Sequence, residues 1–494
     1  MRIPKVMSTQ HPDNVASPFF STNVVLSGDD EVLEAFYAYS HLGCDEQMWD
    51  CEGKEVDAYV VKKLFTKHEE FFRENVLGRD LRLTLRVPNP EEEKAEAKIL
   101  LEQLETIPRV FDLSKLFYGE DIAPIFEVIL PMAKEADSID RIYKYYMNYV
   151  VGKQNKATKE GDITIAEWIG EFKPATINVI PLFEDLEYML KAPQILKEYL
   201  LDKEVTEQRV FLARSDPSLN YGVVSAVLMV KIALQGLYKL QEEIGVKIYP
   251  ILGVGPNPFR GGLNPLTVDR CLAEYPSNHT WTIQSAFKYD YSNAKVKKAV
   301  KKIMNHETTA PHEIDVDRAL DIIERYKNEY QKQITSLAPI INKCAKHVPS
   351  RRLRKLHTGL FGYQRNMGGI TFPRAISFCA SLYSLGMPPE LLGLNALTEE
   401  DIKYLRKVYI NFDEDIRDCI KYVNLDTGLI PTEKHACWFY IPWNVPDDIQ
   451  GPLHKKNPYA ERPPRGSVFP PIHILHNAAV PELCVPAPDR RVDP

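Results

Sequence analysis

The stretch Ser8-Thr9-Gln10-His11-Pro12-Asp13-Asn14 sets one imidazole among hydrogen-bonding side chains and a proline, after a minimal apolar lead-in. Imidazole changes charge near neutral pH and suits proton transfer, whereas a histidine near an N-terminus is more often a satisfied or surface residue. Residue chemistry alone leaves His11 open between the two. Two carboxylates follow apolar runs, Glu184 after Ile180-Pro181-Leu182-Phe183 and Asp216 after Leu212-Ala213-Arg214-Ser215. Singly, each reads as a solvated acid at the start of a loop. In register at successive strand ends, the pair offers hard oxygens to Mg2+, with Mn2+ as the alternative, and metal ligation becomes the better reading.

Anion binding needs cations and close backbone. Arg82 and Arg86 lie four apart, hence on one face of a strand, with Arg86 nearer the exit. Arg214 precedes Asp216, and Gly253-Val254-Gly255-Pro256-Asn257-Pro258-Phe259-Arg260-Gly261-Gly262 carries one arginine in a Gly-rich loop. Guanidinium forks match phosphate and carboxylate geometry, and glycines such as Gly261 and Gly262 let backbone approach or close over a ligand. His68, His306 and His312 have no second ligand at metal spacing and read as structural.

Such scattered groups need a scaffold that gathers strand ends. Besides the His11 segment, short apolar, β-prone runs at 47–50, 81–90, 124–131, 177–184, 209–216, 247–255 and 280–289 end in charged, Gly or Pro residues. Segments with helical periodicity separate them. Eight such exits predict an α/β chain built as a (β/α)8 TIM-type barrel over about 1–300, with the chemistry at its C-terminal mouth. Pro90-Glu91-Glu92-Glu93-Lys94 reads as the acidic opening of a helix. From Asp317 to Ala345 a longer helix is expected, with Leu320, Ile322, Ile323, Tyr326, Tyr330, Ile334 and Leu337 in its apolar stripe. It belongs to a helical layer over 301–425.

The 494 residues, 44% hydrophobic and 26% charged, bury a large core, and the net charge of −7 leaves no basic patch for nucleic acid. No segment approaches the ~20 apolar residues of a membrane span and no signal peptide opens the chain, so a cytoplasmic protein is expected. The 8 cysteines contain no Cys-x2-Cys pair and suggest neither a zinc site nor a disulfide framework.

Taken together, Met7-Ser8-Thr9-Gln10-His11-Pro12-Asp13-Asn14-Val15, Val179-Ile180-Pro181-Leu182-Phe183-Glu184, Leu212-Ala213-Arg214-Ser215-Asp216-Pro217 and Phe259-Arg260-Gly261 resemble motifs of the phosphoenolpyruvate carboxylases, in their short archaeal-type branch. Thr282-Ile283-Gln284, Phe287-Lys288-Tyr289 and Pro373-Arg374-Ala375-Ile376 find counterparts as well. The resemblance implies a Mg2+-dependent lyase that carboxylates phosphoenolpyruvate with bicarbonate, through carboxyphosphate and pyruvate enolate, to oxaloacetate and phosphate. It further implies an anaplerotic role and a homotetramer. Glu184 and Asp216 would hold the metal, His11 would be the general base, and Arg260 would join it in catalysis. Arg82, Arg86, Arg214, Gly261, Gly262, Lys288 and Arg374 would bind substrate. The longer branch has two Arg-Gly-Gly units and a Ser-Asp-Ser-Ala-Lys-Asp motif. This chain has one Arg-Gly-Gly and reads Ser215-Asp216-Pro217-Ser218-Leu219, so Lys288 or Arg214 would supply the missing cation.

The resemblance covers about residues 1–425. Beyond it, 13 of the 36 prolines fall in 431–494, a composition that cannot make the terminal helices of family members. An atypical Pro-rich tail, with disorder as its expected state, puts the tetramer in question. Two alternatives stay open at this stage: another Mg2+-dependent pyruvate-enolate lyase or aldolase on the same barrel, and a non-catalytic paralogue with a disrupted C-terminus.

Overall fold

A computed structural model describes residues 2–51, 57–94, 97–352, 366–367 and 369–424; the tail expected over 426–494 lies outside them. Eight parallel strands close into a barrel in chain order: β1 (Val6–Ser8), β2 (Glu46–Asp50), β3 (Arg82–Arg86), β4 (Glu127–Leu130), β5 (Asn178–Phe183), β6 (Glu207–Ala213), β7 (Lys247–Gly253) and β8 (Thr280–Ile283). Closure is made by β1 against β8, with Val6 opposite Trp281 and Ser8 opposite Ile283. Each expected run contains a strand. The run 280–289 does not stay extended, because Gln284 leads into a short helix, Ser285–Tyr289, one residue after β8.

Alternation along the strands sorts the barrel interior into three layers. At the base, Arg82 Nη1 meets Glu127 Oε2 at 2.7 Å, while Arg209 reaches Glu46 at 2.6 Å and Glu127 at 3.0 Å. Four buried charges thereby neutralise one another. The middle layer is apolar: Met7, Met48, Ile129, Ile180, Leu182, Phe211, Ala213 and Ile251 form a core of their own. The next inward positions, such as Asp50, Arg86 and Glu184, belong to the mouth.

Outside the strands, a second and larger core joins barrel helices to the C-terminal layer. The helix Val223–Ile244 is long and apolar enough to cross a membrane, which corrects the expectation that no segment approaches a span. It is instead packed inside the protein, with residues from Val223 to Gln235 buried in an unbroken run. All-round apolarity is what a doubly covered helix requires. The expected long helix spans Val316–Ala345, buried along Ile322, Ile323, Tyr326, Tyr330, Ile334 and Leu337; Leu320 falls off that stripe and is exposed. Pro90-Glu91-Glu92-Glu93-Lys94 does not open a helix. Asn89 accepts the Glu91 N–H at 3.0 Å through its side chain and the Glu92 and Glu93 N–H groups through its carbonyl, a local turn that wins over helix; the helix is Ala97–Tyr118.

Candidate active site

At the C-terminal ends of the strands lies a cavity of about 340 Å³, whose wall includes His11, Arg86, Glu184, Asp216, Arg260 and Arg374. Of the candidate site residues read from the sequence, the fold brings these six and Arg214 to one cavity. The chain around each explains its placement.

His11 follows β1 by three residues. Its Nδ1 lies 3.0 Å from Thr9 Oγ1, and Thr9 Oγ1 lies 3.4 Å from the Ile283 carbonyl. The carbonyl can only accept, so the hydroxyl proton goes to Ile283 and its oxygen receives Nδ1–H. That assignment leaves the lone pair on Nε2, the form a base requires. The His11 carbonyl also accepts the Ser285 N–H at 3.2 Å.

Arg86 ends β3 and is held in a fork by Asp50 of β2, Nε to Oδ1 at 3.0 Å and Nη2 to Oδ2 at 3.2 Å. Arg260 is buried, with Nη1 on Asp13 Oδ2 and Nε on Ser215 Oγ, each at 3.2 Å, and Nη2 on Gln284. Gly255 makes room for it: a Cβ there would lie 2.7 Å from Arg260 Cζ. Burial raises the Asp13 carboxyl above its ordinary value against the opposing pull of Arg260.

Glu184 Oε2 accepts the Met132 N–H at 3.1 Å. Met132 adopts φ of 54°, a left-handed conformation that a side chain disfavours, and its carbonyl is tied to Asn89 Nδ2 at 3.2 Å. Asp216 opens the short helix Ser215–Tyr221 behind β6. Among the described residues no group of three or more His, Cys, Asp and Glu side chains converges as a metal set. Glu184 and Asp216 at one mouth offer carboxylate oxygens, a hard donor pair that suits a divalent cation completed by water or ligand oxygens.

Three expectations are displaced. Arg82 shares the inward face with Arg86 but occupies the opposite end of β3, paired with Glu127 under the apolar layer. Lys288 sits on the helix after β8, where its Nζ donates to Ser8 Oγ, the Thr9 carbonyl and Glu34, fully buried behind the His11 loop. Gly261 and Gly262, at φ of 110° and 73°, close the turn that carries Arg260 and lie outside the cavity wall. Arg214 does line the wall, yet its guanidinium donates to Ser218 Oγ and to the Phe259 carbonyl within the fold.

Residues that sequence reasoning passed over complete the mouth. Asp13, Asp50 and Gln284 hold the arginines. The segment 348–352 covers one side, and Arg352 is locked to Glu34 at 2.6 Å and Glu31 at 3.2 Å. Glu34 therefore joins Lys288, beneath the His11 loop, to Arg352, at the cavity wall. Burial pushes its carboxyl up, but Arg352 and Lys288 overcome this and hold it down at about 2.

A family model described as phosphoenolpyruvate carboxylase matches residues 3–439, reaching past the limit near 425 read from the motifs. A phosphoenolpyruvate carboxylase of Methanospirillum hungatei is 57% identical over 433 residues, 88% of this chain and 90% of its own. One of Methanothermobacter thermautotrophicus is 54% identical over 433 residues, 88% of this chain and 89% of its own. Among solved structures, an HpcH/HpaI aldolase from Desulfitobacterium hafniense aligns with a TM-score of 0.33 and 14% identity over 62% of this chain and 95% of its own.

Proposed function

The chain belongs to the phosphoenolpyruvate carboxylase family, and from that premise we propose that its barrel mouth joins bicarbonate to phosphoenolpyruvate, giving oxaloacetate and phosphate. One observation carries the reading: His11, two anchored arginines and the Glu184/Asp216 pair line a single cavity at the C-terminal end of the barrel.

Arg86 and Arg260 bind the phosphate, each preorganised by a carboxylate so that little order is lost when substrate arrives. Arg374, at the start of the helix Ala375–Ser384, adds a third cation to the wall. Mg2+ or Mn2+ held by Glu184 and Asp216 would supply positive charge for the phosphate and the developing enolate oxygen. A bicarbonate oxygen attacks phosphorus, the bond from phosphorus to the enol oxygen breaks, and carboxyphosphate and pyruvate enolate result. Arg86 and Arg260 stabilise the charge spread over the transferring group. His11 Nε2 then removes the carboxyl proton of carboxyphosphate, CO2 separates from phosphate, and the enolate methylene carbon attacks CO2. Cover from the 348–352 segment keeps water from protonating the enolate to pyruvate. The same reading assigns a cytoplasmic, anaplerotic enzyme that assembles as a homotetramer.

A coupled assay of oxaloacetate formed from phosphoenolpyruvate, with and without bicarbonate and Mg2+, tests the proposal. Product is expected only when both are present; oxaloacetate formed without bicarbonate, or none at all, overturns it.

A further inference from the structure

Asn220 lines the same cavity and is only 2% exposed, yet among the described residues neither its Oδ1 nor its Nδ2 has a hydrogen-bond partner. Its backbone is engaged, since Gln331 Nε2 donates to the Asn220 carbonyl at 3.0 Å, but the carboxamide is not. A buried amide left unpaired on both atoms weakens a fold, so its presence points to a partner that arrives with the ligand. The residue stands in the cavity wall, so the cavity is the side from which such a partner can approach.

The chemistry of a carboxamide narrows the choice. A cation would take Oδ1 and leave Nδ2 unpaired. The phosphate and carboxylate oxygens of ionised phosphoenolpyruvate would accept from Nδ2 and leave Oδ1 unpaired. Bicarbonate carries one O–H donor beside acceptor oxygens and pairs with both atoms at once. Asn220 stands four residues after Asp216 on the helix Ser215–Tyr221, hence one turn away on the same face. A ligand on the amide would therefore lie next to the proposed metal carboxylate.

We propose that the Asn220 carboxamide is the bicarbonate-binding group of this site, an inference that rests on the carboxylation reading above. It makes Asn220 a substrate-binding residue for one substrate of two.

The test compares wild-type enzyme with Asn220→Leu, which keeps the side-chain size and removes both polar atoms, and Asn220→Asp, which keeps the shape and removes the donor. Because the described residues give the amide no partner, Asn220→Leu should melt no lower than wild type. At saturating phosphoenolpyruvate and Mg2+, the KM for bicarbonate should rise about tenfold or more in both variants, the scale of one or two lost hydrogen bonds. The KM for phosphoenolpyruvate should stay within about twofold, as should Mn2+ binding to the substrate-free protein measured by electron paramagnetic resonance. An unchanged bicarbonate KM, an equal rise in both KM values, or a tenfold weaker Mn2+ site overturns the inference. Should Asn220→Leu fail to fold, the same readings on Asn220→Asp decide. Wild-type enzyme that forms no oxaloacetate would instead overturn the carboxylation reading beneath it.

Discussion

Asp13 and Arg260, 247 residues apart in the chain, meet at the barrel mouth with Oδ2 and Nη1 3.2 Å apart and both side chains buried. Asp13 Oδ1 accepts the Ala286 N–H at 2.7 Å, so the carboxylate is fixed independently and the arginine is the group it aims. Asp13→Asn keeps the shape but removes the charge. It should raise the KM for phosphoenolpyruvate tenfold or more, and breaking a buried pair of this kind costs about 3–5 kcal/mol of stability. Steady-state kinetics and a melting curve on one preparation check both; an unchanged KM would show that Arg260 holds its position without Asp13.

Gly255 tests the same arginine from the other side. Its φ lies outside the left-handed range, so the backbone admits alanine, and the obstacle is Arg260 itself, 2.7 Å from the position of the new methyl. Gly255→Ala is expected to fold and to lose at least tenfold in kcat/KM, a loss of about 1.4 kcal/mol or more in transition-state stabilisation. Wild-type kinetics from this variant would mean that the guanidinium has slack.

Arg82 separates structural from functional arginine. Deleting its partnership with Glu127 in the barrel base strands a buried charge, so Arg82→Met should destabilise by about 3–5 kcal/mol while the KM for phosphoenolpyruvate stays at the wild-type value. A selective rise in that KM in a stable variant would return Arg82 to the binding site.

Asp290 gives a pH signature. It accepts N–H groups from Val15 at 2.9 Å and Ala16 at 2.6 Å, just after the His11 loop, and burial pushes its carboxyl up to about 7 from an ordinary 3.8. A raised value means the folded state holds a proton that the unfolded chain has released. The stabilisation is complete below about pH 3.8 and is lost as pH rises through 7. Wild-type protein should therefore gain stability from pH 7.5 to 5.5, and Asp290→Asn should flatten that slope by up to about 1.4 kcal/mol per pH unit. Glu390 and Asp415, also at about 7 through burial, leave a residual slope of the same sign. Parallel melting profiles for both proteins would remove Asp290 from the account.

What the sequence made legible follows from what is local. Strand runs and their polar exits are period-two patterns, so all eight strands could be read, and with them the mouth positions of Arg86, Glu184 and Asp216. Alternation and chain direction put Arg82 and Arg86 on one face with Arg86 nearer the exit, but they do not show that an apolar layer lies between them and leaves Arg82 paired with Glu127 at the base. Lys288 looked like a strand-exit cation because nothing in 280–289 marks the turn to helix after Ile283 as clearly as the structure does. Asp13, Asp50 and Glu34 escaped notice because their importance lies in partners elsewhere in the chain, at Arg260, Arg86 and Lys288. Asp13 and Asp50 did carry a signal: Asp13 lies within the His11 motif and Asp50 closes the run 47–50. Met132 carried none, since a left-handed methionine has no sequence signature.

The pairing of β1 with β8 has a consequence for how the site comes into being. Thr9 N–H bonds to Ile283, the His11 carbonyl to Ser285, Asp13 to Ala286 and Arg260, and Val15 to Asp290. Most of the long-range ties on the first loop thus come from residues made about 250–280 positions later. A ribosome will have released the N-terminal segment long before its partners exist, so a nascent or truncated chain ending short of about residue 290 presents His11 without an address. The earliest residues translated are among the last to be ordered, and the base arrives only when the ring is complete.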